Sequence, residues 1–167
     1  MGSAPAPLAA AALAAVWQLN ADYARAIDDD RLEAWPDFFA ADCLYKVTSA
    51  DNHRNGHEAA LIYADSRGML KDRVAALREA NIYERQSYRH IVGMPAALGA
   101  APGGPAGALR VEVPFLVVRI MRDGRMDLFA TGRYLDVLVT EGDALRFRER
   151  IVVCDSSRVD TLLAIPL

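Results

Sequence analysis

The sequence predicts an α+β fold, a curved antiparallel sheet with helices packed on one face. Three observations carry this expectation. The N-terminal half holds helix-period patterns interrupted by one clear strand. From Ser87 onward the pattern is β, in long apolar runs. Those runs are separated by Gly-containing turn signals, so successive strands pair as neighbours. Nothing in the 167 residues repeats and the composition does not change regime, so a single domain over 1–167 is expected, with 1–8 as a frayed tail.

The first element is a helix over residues 8–27. Val16, Leu19, Tyr23 and Ile27 recur at i, i+3, i+7 and i+11, one helical stripe. Asp28, Asp29 and Asp30 should end it, because acids oppose the dipole at a helix C-terminus. Asp30 followed by Glu33 has the spacing of an N-terminal capping pair. A short second helix then runs through Leu32, Trp35, Phe38 and Phe39, with Pro36 near a first turn or a break. Residues 43–48 alternate enough for a strand, and the polar stretch 49–56 reads as a loop. Residues 57–83 read as a helix. Ile62, Ser66, Leu70, Val74 and Leu77 line one face, and Gly68 argues against a straight one.

Residues 87–94 form the next strand. Residues 99–107, rich in Gly, Pro and Ala, read as a mobile loop. Residues 109–121 are a long apolar strand in which Pro114 marks an edge or a bulge. Asp123-Gly124 signals a hairpin into residues 126–139, and Glu141-Gly142-Asp143 signals the next turn. In residues 145–154, strict alternation would put Leu145, Phe147, Ile151 and Val153 on one face. Arg146, Arg148 and Arg150 would then share the other. Three cations in a row repel unless acids oppose them. They are either paired across strands with acids such as Asp127 or Asp136, or a docking face for another subunit.

Composition excludes several function classes. A net charge of −3 argues against a nucleic-acid binder. No run approaches the apolar length of a membrane span. Two unpatterned cysteines, Cys43 and Cys154, point to a reducing, cytoplasmic setting. No phosphate loop, dinucleotide fingerprint, nucleophile elbow or CxxC pair occurs. A Rieske cluster needs two Cys and two His ligands in pairs, which this chain lacks. His53 and His57 have helix-face ligand spacing, but they lie in a loop-like sequence. The element order fits the cone-like, nuclear-transport-factor-2-like folds, which can enclose a pocket. Asp28, Tyr45, Tyr88 and His90 are the groups that could serve acid–base chemistry there. A stand-alone isomerase or dehydratase is therefore the alternative class. In the simpler reading Asp28 ends a helix, the tyrosines fill the cone and His90 is a hydrogen-bonded core residue.

Several ordered blocks resemble the β subunits of Rieske-type aromatic-ring-hydroxylating dioxygenases. They are Trp35-Pro36-Asp37-Phe38-Phe39 with Asp42-Cys43-Leu44-Tyr45, the run Asp65 to Arg73, and the run Ala76 to Arg85 followed by Tyr88-Arg89-His90. Val153-Cys154-Asp155-Ser156, Asp160-Thr161-Leu162 and Ile165-Pro166-Leu167 complete the set. The resemblance extends from about residue 17 to the end and is strongest to terephthalate-type enzymes, with salicylate 5-hydroxylase types second. It implies a structural subunit with no catalytic, cofactor-binding or metal site of its own. The partner α subunit would carry a [2Fe–2S] Rieske cluster and a mononuclear Fe(II). The complex would hold three α and three β chains and draw electrons from NAD(P)H through a reductase. It would cis-dihydroxylate an aromatic carboxylate. The resemblance, together with the arginine row, gives Arg73, Arg78, Glu79, Tyr83, Arg89, Arg148 and Arg150 as subunit-interface candidates.

Overall fold

A computed structural model describes residues 8–80, 85–158 and 163–167. Helix α1 (Ala10–Asp28) leads into a 3-10 segment (Leu32–Phe38) and strand β1 (Phe39–Ser49). A one-turn helix α2 (Ala50–Arg54), strand β2 (Ile62–Ala64) and helix α3 (Arg67–Glu79) follow. The chain then forms β3 (Gln86–Val92), β4 (Ala96–Ala100), β5 (Leu109–Met121), β6 (Met126–Glu141) and β7 (Ala144–Cys154). The sheet is open, in the order β2-β1-β7-β6-β5-β3, and β4 also pairs with β5.

The expected hairpins are present. Gly124 and Gly142 take φ of 86° and 61°, a region open to glycine at little cost, and they turn β5 into β6 and β6 into β7. Pro114 stands at a seam: β3 pairs with Phe115–Met121 of β5, and β4 with Leu109–Glu112. A residue with no backbone donor is tolerated where one ladder hands over to another. One ladder departs from the antiparallel expectation. β1 lies parallel to β7, joining strands from opposite ends of the chain into a mixed sheet.

The helices depart more. The stretch 57–83 is not one helix. Ile62 belongs to β2, and the Ser66 hydroxyl caps α3 by accepting from the Met69 amide at 3.3 Å. The predicted stripe survives only in its second half, where Leu70 and Val74 are buried. The loop predicted at 49–56 contains α2, capped by the Ser49 hydroxyl. Gly99 and Ala100 belong to β4 rather than to a loop. Asp30 and Glu33 form no capping pair. Both carboxylates grip Arg78 of α3, at 2.8 and 2.7 Å.

The core lies between α1, the 3-10 segment, α3 and the inner face of the sheet. Val16, Leu19, Tyr23 and Ile27 are buried, as the helical stripe requires. Tyr23 meets Phe39, Tyr134 and Phe147 edge-on, with centroids 5.5 to 6.2 Å apart. Trp35 meets Tyr45 in the same way at 5.1 Å.

Arg150 lies in this core with its side chain fully excluded from solvent. A register irregularity in β7 sets Val137 opposite Glu149 but Leu138 opposite Phe147. The extra residue, Arg148, reverses the alternation, so Phe147 and Arg150 both face inward. The three arginines therefore do not share a face, and Arg150 is withdrawn as an interface residue. Asp136, directly opposite on β6, accepts two bonds from Arg150 at 2.9 and 2.7 Å. Asn20 of α1 accepts another. The guanidinium also lies 3.8 to 4.2 Å from the ring centroids of Phe147, Tyr134 and Tyr23. Burial disfavours its charge, but Asp136 more than offsets this, and the Arg150 pKa lies above its ordinary value.

Removing one member of a buried pair strands the other charge, at a cost of roughly 3–5 kcal/mol. Asp136→Ala should lower stability by about that amount in urea denaturation. A loss below ~1 kcal/mol would show that the pair is not structurally important.

Candidate functional site

The residues singled out from sequence do not form one patch. Arg73 reaches from α3 to the Leu163 and Ala164 carbonyls, at 2.9 and 3.1 Å. Arg78 is held by Asp30 and Glu33. Glu79 ends α3 and is exposed. Tyr83 lies outside the described residues. Arg148 pairs with Asp42 at 3.0 Å. Arg89 is 61% exposed on β3 and reaches Asp28 at 3.7 Å.

The acid–base candidates take up structural partnerships. Asp28 and His90 form a buried pair between α1 and β3. Asp28 meets the His90 ring Nδ1 at 2.6 Å and accepts from its backbone amide at 2.9 Å. Tyr88 stacks on Phe129 with centroids 5.2 Å apart. Tyr45 binds Leu167 through its hydroxyl. His53 lies on α2, and His57 follows beyond the helix end. Among the described residues no three His, Cys, Asp or Glu side chains converge as metal ligands. Cys43 and Cys154 are buried free thiols on different strands, and burial pushes each up to about 11. These donors do not fit a Rieske cluster or a mononuclear iron.

The cone interior is filled by the chain itself. Leu167 is fully buried, and its carbonyl accepts from the Tyr23 hydroxyl at 2.6 Å and the Tyr45 hydroxyl at 3.1 Å. Charged clefts open at the rim. One of about 710 Å³ is lined by Arg119, Arg125, Asp127 and Arg158 among others, with Arg119 paired to Asp127 at 2.9 Å.

The outer face of the sheet is apolar at the β3–β5–β6 end. Leu116, Val118 and Ile120 alternate with inward-facing Phe115, Val117 and Arg119 on β5. Directly across the ladders lie Ile91 on β3 and Leu128 and Met126 on β6. Residues opposite one another share a face. Ile91, Leu128 and Met126 are 55, 66 and 70% exposed. Among the described residues no helix covers this side. Arg89, opposite Val118, is the one described interface candidate on this apolar patch. The patch was legible in part. The stretch Phe115 to Met121 is almost continuously apolar, as in a strand that packs on both faces.

Comparison with known proteins places this geometry. A family model described as "ring hydroxylating beta subunit" matches residues 22–161. The chain is 51% identical to subunit beta 1 of the terminal oxygenase component of terephthalate 1,2-dioxygenase from a Comamonas species. That match covers 89% of this chain and 94% of the relative. It is 35% identical to the anthranilate 1,2-dioxygenase small subunit of Burkholderia cepacia, over 91% and 92%. A crystal structure assigned as the β subunit of an aromatic-ring-hydroxylating dioxygenase from Novosphingobium aromaticivorans superposes with a TM-score of 0.84. It shares 38% identity and covers 94% of this chain and 97% of its own.

Two measurements follow from the side-chain chemistry. Hydrogen bonds from Arg78 hold Glu33 at about 2, below its ordinary 4.5. A depressed carboxylate stabilises the fold above its unfolded pKa, and that contribution is lost as pH falls through the folded one. The stability gap between the native chain and Arg78→Gln should therefore narrow as pH drops from about 5 toward 2. A gap that is constant across this window would rule out the coupling. The two cysteines should resist alkylation near neutral pH until denaturant is added, because little thiolate exists at a raised pKa. Rapid labelling of the folded chain would contradict their burial.

Proposed function

The chain belongs to the ring-hydroxylating β-subunit family, and on that premise we propose that it is the scaffolding β subunit of a terephthalate-type dioxygenase. Similarity at 51% over most of both chains supports that substrate class. The partner α subunit carries the Rieske cluster and the mononuclear iron, and its pocket selects the aromatic carboxylate. Electrons reach it from NAD(P)H through a reductase. The assembly contains three α and three β chains and works in the cytoplasm. No helix among the described residues is long and apolar enough to cross a membrane.

One observation carries the scaffolding role: the uncovered apolar face formed by Ile91, Leu116, Val118, Ile120, Met126 and Leu128. Contiguous exposed apolar surface of this kind marks an interaction site. The face packs against a neighbouring subunit, with Arg89 at its edge. Obligate assemblies bury large apolar areas whose central residues contribute most of the binding energy. The chain's part in the reaction is positional. It holds α subunits in register and supplies no group to the oxygen chemistry.

The test is assembly. The double substitution Met126→Glu and Leu128→Glu places two carboxylates on the face without touching the core. Co-expressed with the α subunit, this variant should release a folded free β chain, read by light scattering on a sizing column. A complex of unchanged mass would show that this face is not the interface.

A further inference from the structure

We propose that the notch where β7 ends beside β6 is a docking groove for an extended, acidic segment of the partner α subunit. This rests on the scaffolding role and names one contact within it. The notch follows from unequal strand lengths. β6 begins at Met126, but its pairing with β7 starts only at Gly132, opposite Cys154. The Asp155 amide adds one more bond, to the Thr131 carbonyl at 2.8 Å, and the chain then bends away through Ser156 to Arg158. Among the described residues, 126–130 therefore pair with β5 alone. A strand edge left in this way presents backbone donors and acceptors, and an incoming chain can add to the sheet there as a further strand.

The charge of the groove selects the partner. Its volume is about 710 Å³, and its charged lining is Arg119, Arg125 and Arg158 against Asp127. The whole chain carries −3, so the groove has the opposite sign to the molecule around it. Arg119 is committed to Asp127 at 2.9 Å and lies 4.8 Å over the Phe129 ring. Arg125 and Arg158 are exposed and form no ion pair among the described residues. The acids next to them in sequence have other partners. Asp123 accepts from the Arg125 backbone amide at 3.0 Å, and Asp155 from the Thr131 hydroxyl at 2.8 Å. Two guanidinium groups without a counter-ion favour carboxylates. Small-molecule sites bury most of their ligand. Here both arginines stand in solvent, which suits a protein segment better than a small anion. Leu128 lines the groove and also belongs to the apolar face, so the groove continues the surface on which a subunit sits.

Assembly with the native α subunit across a salt series tests this. The dissociation constant of the native complex should rise at least about tenfold between about 0.05 and 0.5 M sodium chloride, because rim charge pairs are screened. Arg125→Glu with Arg158→Glu should weaken assembly at least about tenfold at the lower salt and flatten that dependence. Arg125→Lys with Arg158→Lys should keep it. Both side chains are exposed, so neither change touches the core. Hydrogen exchange reads the strand edge. Those amides of residues 126–130 that face away from β5 should exchange at least about tenfold more slowly in the complex than in the free chain. A native complex indifferent to salt and to charge reversal, or one that leaves these amides unprotected, would overturn the groove and leave the scaffolding role standing. A native chain that forms no complex with the α subunit would overturn both. Protection of the same amides in the chain alone, growing with its concentration, would assign the groove to a second copy and also overturn the proposal.

Discussion

The buried guanidinium of Arg150 is the constraint around which the rest of the structure is arranged. A cation inside a protein must meet a counter-ion and fill its donor positions, or it costs more than the fold can spare. Here the counter-ion comes from β6, as Asp136 in direct register, and a further acceptor comes from α1, as Asn20. Rings from α1, β6 and β7 close around the plane of the group. The helix that covers the sheet is thereby fixed to its two central strands at one point. Tyr23 links that point to the Leu167 carbonyl, so the polar centre extends to the filled interior.

How much of this was legible depends on the range of the forces involved. The stripe of α1, the β5–β6 and β6–β7 hairpins and the apolar character of β5 are local, and a few residues encode each. The inward turn of Arg150 was not legible. One bulged residue reverses the parity of a strand, and no sequence period announces it. The parallel pairing of β1 with β7 joins segments about a hundred residues apart and leaves no turn signal. Asp30 and Glu33 had the spacing of a cap, yet a long-range arginine on α3 claimed both. Among the interface candidates, Arg150 is enclosed in the core, while the apolar face went unnamed because its residues come from three strands.

The two faces of the sheet divide the work. Inside, aromatic rings, a buried ion pair and the segment 163–167 fill the space that a cone-shaped enzyme would keep for substrate. Asp28 and His90 join α1 to β3. Outside, apolar side chains stand without cover among the described residues. A protein arranged in this way stabilises itself internally and presents a surface for association, which suits a subunit whose contribution is to hold others in place.

The central claim is that this chain scaffolds an oxygenase and performs none of its chemistry. The most direct measurement compares iron content and aromatic-ring turnover in the chain purified alone and in the chain purified with its α subunit. The account predicts iron and turnover only in the complex. Turnover by the chain alone, lost on replacing Asp28 or His90, would contradict it.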